Sequence, residues 1–158
     1  MSSEAFIEMI DTHQNIIYKI ALTYRDNRED QEDLFQEIVF QLWKARNSFR
    51  NEAKISTWIY RVALNTAIAI YRKNKVAMNY QEHIPESLHP SDYQDISEQE
   101  ERMYQALRQL NDIEKAIVSL YLEDYAYQEI ADIMGISENY VGVRINRIKQ
   151  KLKKILNT

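Results

Sequence analysis

The chain has 158 residues, 28% of them charged and 45% apolar, with a net charge of −4 and no cysteine. That length can bury one moderate core or two small ones. The missing thiols exclude a disulfide framework and a thiolate metal site, and the composition excludes a disordered or fibrous chain.

Met1-Ser2-Ser3-Glu4 has no basic stretch leading into an apolar one, and no apolar run approaches the length of a membrane span. The chain therefore reads as cytoplasmic and soluble, without membrane insertion. Only two glycines and two prolines interrupt it, and no segment sustains the alternation of a strand. An all-α fold follows. Helices are predicted over residues 4–24, 28–45, 54–75, 97–110, 112–122, 126–134 and 137–156. Residues 77–96 contain both prolines, Pro85 and Pro90, and lack periodicity. They read as a flexible linker between an N-terminal domain of residues 1–76 and a C-terminal domain of residues 97–158.

A mildly acidic protein would ordinarily be a poor partner for nucleic acid, but its charge is segregated. Residues 26–37 are mostly acidic, 53–75 hold basic residues and no acid, 82–101 hold acids with no Lys or Arg, and 137–158 are strongly basic. The second predicted helix carries Asp33-Leu34-Phe35-Gln36-Glu37, a face suited to a protein partner. On the third, Ile55, Ile59, Val62, Thr66 and Ile70 form an apolar stripe, with Lys54, Trp58, Arg61, Asn65 and Arg72 roughly opposite. Cations attract phosphates, while rings and planar amides stack on or bond to unpaired bases. Lys54, Trp58, Arg61, Asn65, Tyr71, Arg72, Lys73 and Lys75 would thus suit single-stranded DNA, although Trp58 fits ordinary packing as well.

Near the C-terminus, residues 127–134 make a short amphipathic helix, Gly135 can take the positive φ of a tight turn, and Ser137 can cap the next helix. This is the pattern of a helix-turn-helix. Val141, Ile145, Ile148, Leu152 and Ile155 face inward, leaving Asn139, Val143, Arg144, Asn146, Arg147, Gln150, Lys151 and Lys154 outside, as a major-groove helix requires. Asn and Arg can address base edges, Val143 could touch a thymine methyl, and the remaining cations suit phosphates. Gly142, unusual inside a helix, permits close approach either to DNA or to a neighbouring helix.

These motifs in this order resemble a bacterial RNA polymerase sigma factor of the extracytoplasmic-function type. The resemblance rests on Asp33 to Glu37 through Leu42-Trp43, Thr57-Trp58-Ile59-Tyr60-Arg61-Val62-Ala63-Leu64-Asn65, Tyr71-Arg72-Lys73 and the terminal helix-turn-helix. It implies that Asp33, Gln36 and Glu37 bind core polymerase. It further implies that the loop of residues 47–52 and the following helix hold the melted minus-ten strand, and that Asn139, Gly142, Val143, Arg144, Asn146, Arg147 and Lys151 serve the minus-thirty-five duplex. An anti-sigma factor is implied as a further partner. Many relatives place a small residue and Thr before the inward Val, where this chain has Asn139-Tyr140-Val141 followed by Gly142, so promoter sequence does not transfer by analogy.

The acids Glu98, Glu100 and Glu101 are expected to extend the linker's charge along a basic polymerase channel. The competing class is a free-standing helix-turn-helix regulator, which leaves the DLFQE segment and the basic aromatic helix unexplained. An enzyme is not expected: His13, His83 and His89 are scattered, and there is no phosphate loop or paired nucleophile and base. No cofactor or metal is expected, and His83, His89 and Asp92 read as incidental polar residues of the linker.

Overall fold

The computed structural model describes residues 1–72 and 96–157, and every regular element among them is helical. The chain falls into two compact units, 1–93 and 94–158.

In the first unit α1 (Ser3–Tyr24), α2 (Arg28–Ala45) and α3 (Ile55–Arg72) each pack on the other two. Ser2 caps α1 through its side chain, which accepts the Ala5 N–H, and Asn27 caps α2 by accepting the Asp30 N–H at 2.9 Å. The shared core is made by Phe6, Ile10, Ile17 and Ile20 of α1, Leu34, Phe35, Ile38 and Leu42 of α2, and Ile59, Ala63, Leu64 and Ala67 of α3. A short 3₁₀ turn, Arg46–Ser48, follows α2 and was not expected from the sequence.

The predicted apolar stripe of α3 needs correction. Ile55 and Val62 are only half-buried, whereas Tyr60, Ala63 and Ala67 lie in the core, the two alanines fully. Alanine's small side chain lets neighbouring helices come close, so burial here follows size as well as hydrophobicity. The predicted end of this helix at residue 75 falls outside the described residues, as does the linker from 77 to 95 with His83, His89 and Asp92.

The second unit contains α4 (Glu98–Arg108), α5 (Asp112–Leu122), α6 (Tyr127–Met134) and α7 (Glu138–Leu156), with α7 packed against the other three. Its core gathers Leu107, Leu110, Ile117, Leu120, Ile130, Val141, Ile145 and Ile148. Two capping boxes start α4 and α5: Ser97 with Glu100, and Asn111 with Glu114. Glu98, Glu100 and Glu101 lie in the helix predicted from residue 97, beyond the linker. They form the first turn of α4, where Glu100 completes the cap and Glu101 pairs with Arg108 at 2.7 Å, and where negative charge complements the helix dipole. Among the described residues, no helix is long and apolar enough to cross a membrane.

Candidate polymerase and nucleic-acid interfaces

On α2 the acid-bearing face is smaller than the sequence suggested. Asp33 is exposed and Gln36 half-buried, but Glu37 is only 3% exposed and accepts a hydrogen bond from the Gln41 amide at 2.9 Å. Glu37 stands beside the core residues Phe35 and Ile38, and Phe35 meets Tyr18 of α1 at 5.2 Å, so its side chain is covered. Asp33 and Gln36 are what this helix presents outward, continuing the exposed edge begun by Glu29. The far end of α2 is closed by Arg46, whose guanidinium lies 3.7 Å from the centre of the Trp43 ring and whose Nη1 donates to the Trp43 carbonyl at 2.8 Å. Trp43 in turn meets Phe6 edge-on at 5.0 Å, tying this end to α1.

Arg61 and Asn65 are exposed on the side of α3 away from Ile59, Ala63 and Ala67, and Lys54, the residue just before the helix, is exposed as well. Trp58 lies at the border of that side, half-buried, with its ring 5.4 Å from that of Phe49. That contact packs Trp58 on the loop that precedes α3. Within that loop Asn47, Arg50, Asn51 and Glu52 are exposed, and Asn51 adopts a left-handed backbone with φ of 59°, a conformation asparagine tolerates better than most residues. Tyr71 and Arg72 belong to α3, but their side chains lie outside the description, as do Lys73 and Lys75 altogether.

In the second unit α6 ends at Gly135, whose φ of 70° sets the left-handed cap, and Ser137 starts α7 by accepting the Tyr140 N–H at 3.1 Å. Gly142 is half-buried, and a Cβ there would meet Tyr127 Cε2 at 3.5 Å. The glycine thus faces a neighbouring helix within its own unit. Asn139, Val143, Asn146 and Arg147 are exposed on the side of α7 opposite Val141, Ile145 and Ile148. Arg144 is half-buried and turned onto Tyr140, its Nε 2.8 Å from the phenol oxygen.

Lys151, expected among the phosphate contacts, is engaged within the unit. Its Nζ is 2.7 Å from Glu114 Oε2, and Glu114 is 1% exposed. The other oxygen of that carboxylate accepts the Asn111 N–H at 3.1 Å, so one acid caps α5 and fastens α7 to it. Burial pushes the Glu114 carboxyl up. The hydrogen bonds from Lys151 and Asn111, with the charges of Lys151 and Arg144, outweigh that and hold it below the usual carboxylate range. Lys149 lies over the Tyr121 ring at 5.0 Å, and its hydrogen bond to that tyrosine pushes its pKa up. Sequence reasoning missed both relationships, since only the α5–α7 packing brings residues so distant in the chain together. Among the described residues, no group of three or more His, Cys, Asp or Glu is placed to hold a metal ion.

Acid presented on one helix, cations and an amide on the next, and a capped helix pair with a polar outer face define a helical protein of the nucleic-acid-binding class. Comparison with known proteins makes that class specific. Residues 9–76 match sigma-70 region 2, and residues 100–152 match sigma-70 region 4. The chain is 28% identical to the ECF RNA polymerase sigma factor SigW of Bacillus subtilis, over 97% of this chain and 89% of that one. It is likewise 28% identical to the ECF RNA polymerase sigma-E factor of Haemophilus influenzae, over 95% and 86%. Its fold matches the sigma factor RpoE of Bartonella quintana, solved with the anti-sigma factor NepR, at a TM-score of 0.73 and 18% identity, covering 98% of both chains. CnrH, solved with the cytosolic domain of CnrY, matches at 0.70 and 20%, covering 99% of this chain and 90% of that one.

The chain belongs to the sigma-70 family of RNA polymerase sigma factors, in its extracytoplasmic-function branch. It is accordingly a polymerase-binding, promoter-specificity factor, a role that disfavours a free-standing regulator.

Proposed function

We propose that the promoter work is divided between the two units along the faces described above. The face of α2 around Asp33 and Gln36 docks on core RNA polymerase, with Glu37 shaping that helix from inside. Lys54, Arg61 and Asn65, together with Tyr71, Arg72, Lys73 and Lys75, hold the melted minus-ten strand, while Trp58 and Phe49 set the loop in front of it. The α6–α7 pair acts as a helix-turn-helix on the minus-thirty-five duplex through Asn139, Val143, Asn146 and Arg147. Arg144 serves the phosphate edge, and Gly142 and Lys151 support the helix.

The observation that carries this reading is the exposure of Arg61 and Asn65 on α3, a helix that bears no acid, together with that of Lys54 immediately before it. Cations bind the strand's phosphates, and amides and rings take up unstacked bases. Stacking contributes roughly 1 to 3 kcal/mol per base, so a few such contacts offset local melting. The chain supplies recruitment and strand capture, and polymerase supplies the chemistry. It acts in the cytoplasm, and an anti-sigma factor holds it inactive, a partner supported by the structural relative solved with the anti-sigma factor NepR.

Transcription from a promoter library with core polymerase, with and without the chain, tests this. Promoter-dependent initiation appears only in its presence. Specific DNA binding without polymerase, and no initiation with it, would overturn the reading.

A further inference from the structure

The outer face of α7 is narrower than a count of its cations suggests. Arg144 is turned onto Tyr140, its guanidinium 5.1 Å from the ring centre, Lys151 is held by Glu114 at 2.7 Å, and Lys149 lies over Tyr121 at 5.0 Å. What stands opposite the buried Val141, Ile145 and Ile148 in the first half of the helix is Asn139, Val143, Asn146 and Arg147, and Gln150 and Lys154 continue that exposed side towards the C-terminus. Val143 stands between Asn139 and Asn146 there and is 42% exposed.

A branched apolar side chain is a poor occupant of a solvated helix face. It lowers helix propensity relative to alanine, and burial does not compensate it. The residues around it are amides and a cation, a combination complementary to a polyanion whose base edges carry hydrogen-bonding groups. On the major-groove edge of duplex DNA, the one apolar group is the C5-methyl of thymine.

We infer that Val143 is a specificity-determining residue that packs on a thymine C5-methyl in the upstream promoter element, flanked by asparagines suited to adenine and an arginine suited to guanine. The inference rests on α7 being the duplex-reading helix, as proposed above. It makes recognition at this position depend on one methyl group rather than on a hydrogen bond, and it explains why an apolar side chain stands within a polar face.

The test uses the holoenzyme formed with core polymerase. Upstream elements are selected from a randomised duplex library, and each thymidine in the selected element is then replaced singly by deoxyuridine, which removes only the methyl. One replacement weakens holoenzyme binding by about fourfold, the worth of one buried methyl group. The same replacement has no effect on holoenzyme carrying Val143→Ala, whose methyl is too short to reach. Tolerance of every deoxyuridine, or an undiminished penalty in the alanine variant, overturns the inference. In that event an altered selected sequence with Arg147→Ala still upholds α7 as the reading helix. Failure to select any element, or selection unchanged by both substitutions, overturns the helix assignment as well.

Discussion

Lys151 Nζ and Glu114 Oε2 lie 2.7 Å apart across 37 residues of sequence, one side chain half in water and the other 1% exposed. The pair is asymmetric. Glu114 depends on Lys151 for compensation of a buried charge, whereas Lys151 can fall back on solvent.

That asymmetry predicts unequal mutants. Lys151→Met strands the buried carboxylate and should destabilise the C-terminal unit by about 2 kcal/mol, a value discounted for the exposure of the lysine. Glu114→Gln keeps a side-chain oxygen for the Asn111 N–H, frees a lysine that water can solvate, and should cost less. Urea unfolding followed by circular dichroism measures both, and equal losses would contradict the account.

The same pair sets a pH dependence. The folded Glu114 carboxyl lies below its unfolded value, so the folded state binds fewer protons there and gains stability above the unfolded carboxylate range near 4.3. That contribution is fully present at neutral pH and disappears as pH falls through the depressed folded value. Stability profiles between neutral pH and pH 3 should fall less steeply for Glu114→Gln than for the parent.

Gly142 is expected to accept alanine. The added Cβ would lie 3.5 Å and 3.7 Å from Tyr127 ring carbons, ordinary van der Waals contact, and alanine is favoured over glycine in a helix by about 1 kcal/mol. Gly142→Ala should therefore raise the melting temperature of the C-terminal unit. A fall would show that the α6–α7 contact tolerates no extra atom.

Asp33 and Glu37 should separate docking from folding. Reversing charge at the exposed position, Asp33→Lys, together with Gln36→Lys, should weaken core polymerase binding at least tenfold with an unchanged circular dichroism spectrum. Glu37→Ala should instead lower thermal stability, since it removes the buried acceptor of the Gln41 amide on α2. Binding titrations run beside thermal melts read the two effects independently.

Lys54 and Arg61 should appear in the salt dependence of strand binding. For holoenzyme on a forked minus-ten template, removing both cations should reduce the slope of log affinity against log salt by about 1.4, the release of two counterions from a single strand. Trp58→Phe should leave that slope unchanged, because its ring packs on Phe49 at 5.4 Å.

Helix positions were legible where local chemistry is complete. Residues 28–45 and 112–122 match α2 and α5 end for end, because Asn27 and Asn111 announce the starts and no proline or glycine intervenes. The α6–α7 turn was legible for the same reason, since a glycine that can take positive φ stands two residues before a capping serine. The interior of α3 was less so. A wheel ranks residues by hydrophobicity and passed over Ala63 and Ala67, both fully buried, since closeness of approach depends on the neighbouring helices.

By itself the sequence determined an all-helical chain, the order of its helices, the segregation of charge along them and the family they resemble, because caps, turns, periodicity and charge are properties of neighbouring residues. Only the tertiary structure decided which charged groups remain available to a partner. It covered Glu37, set Glu114 to hold Lys151 and left Val143 outside. Whether a side chain meets water or another helix depends on what packs across from it, and for Lys151 that partner, Glu114, stands 37 residues away in the chain.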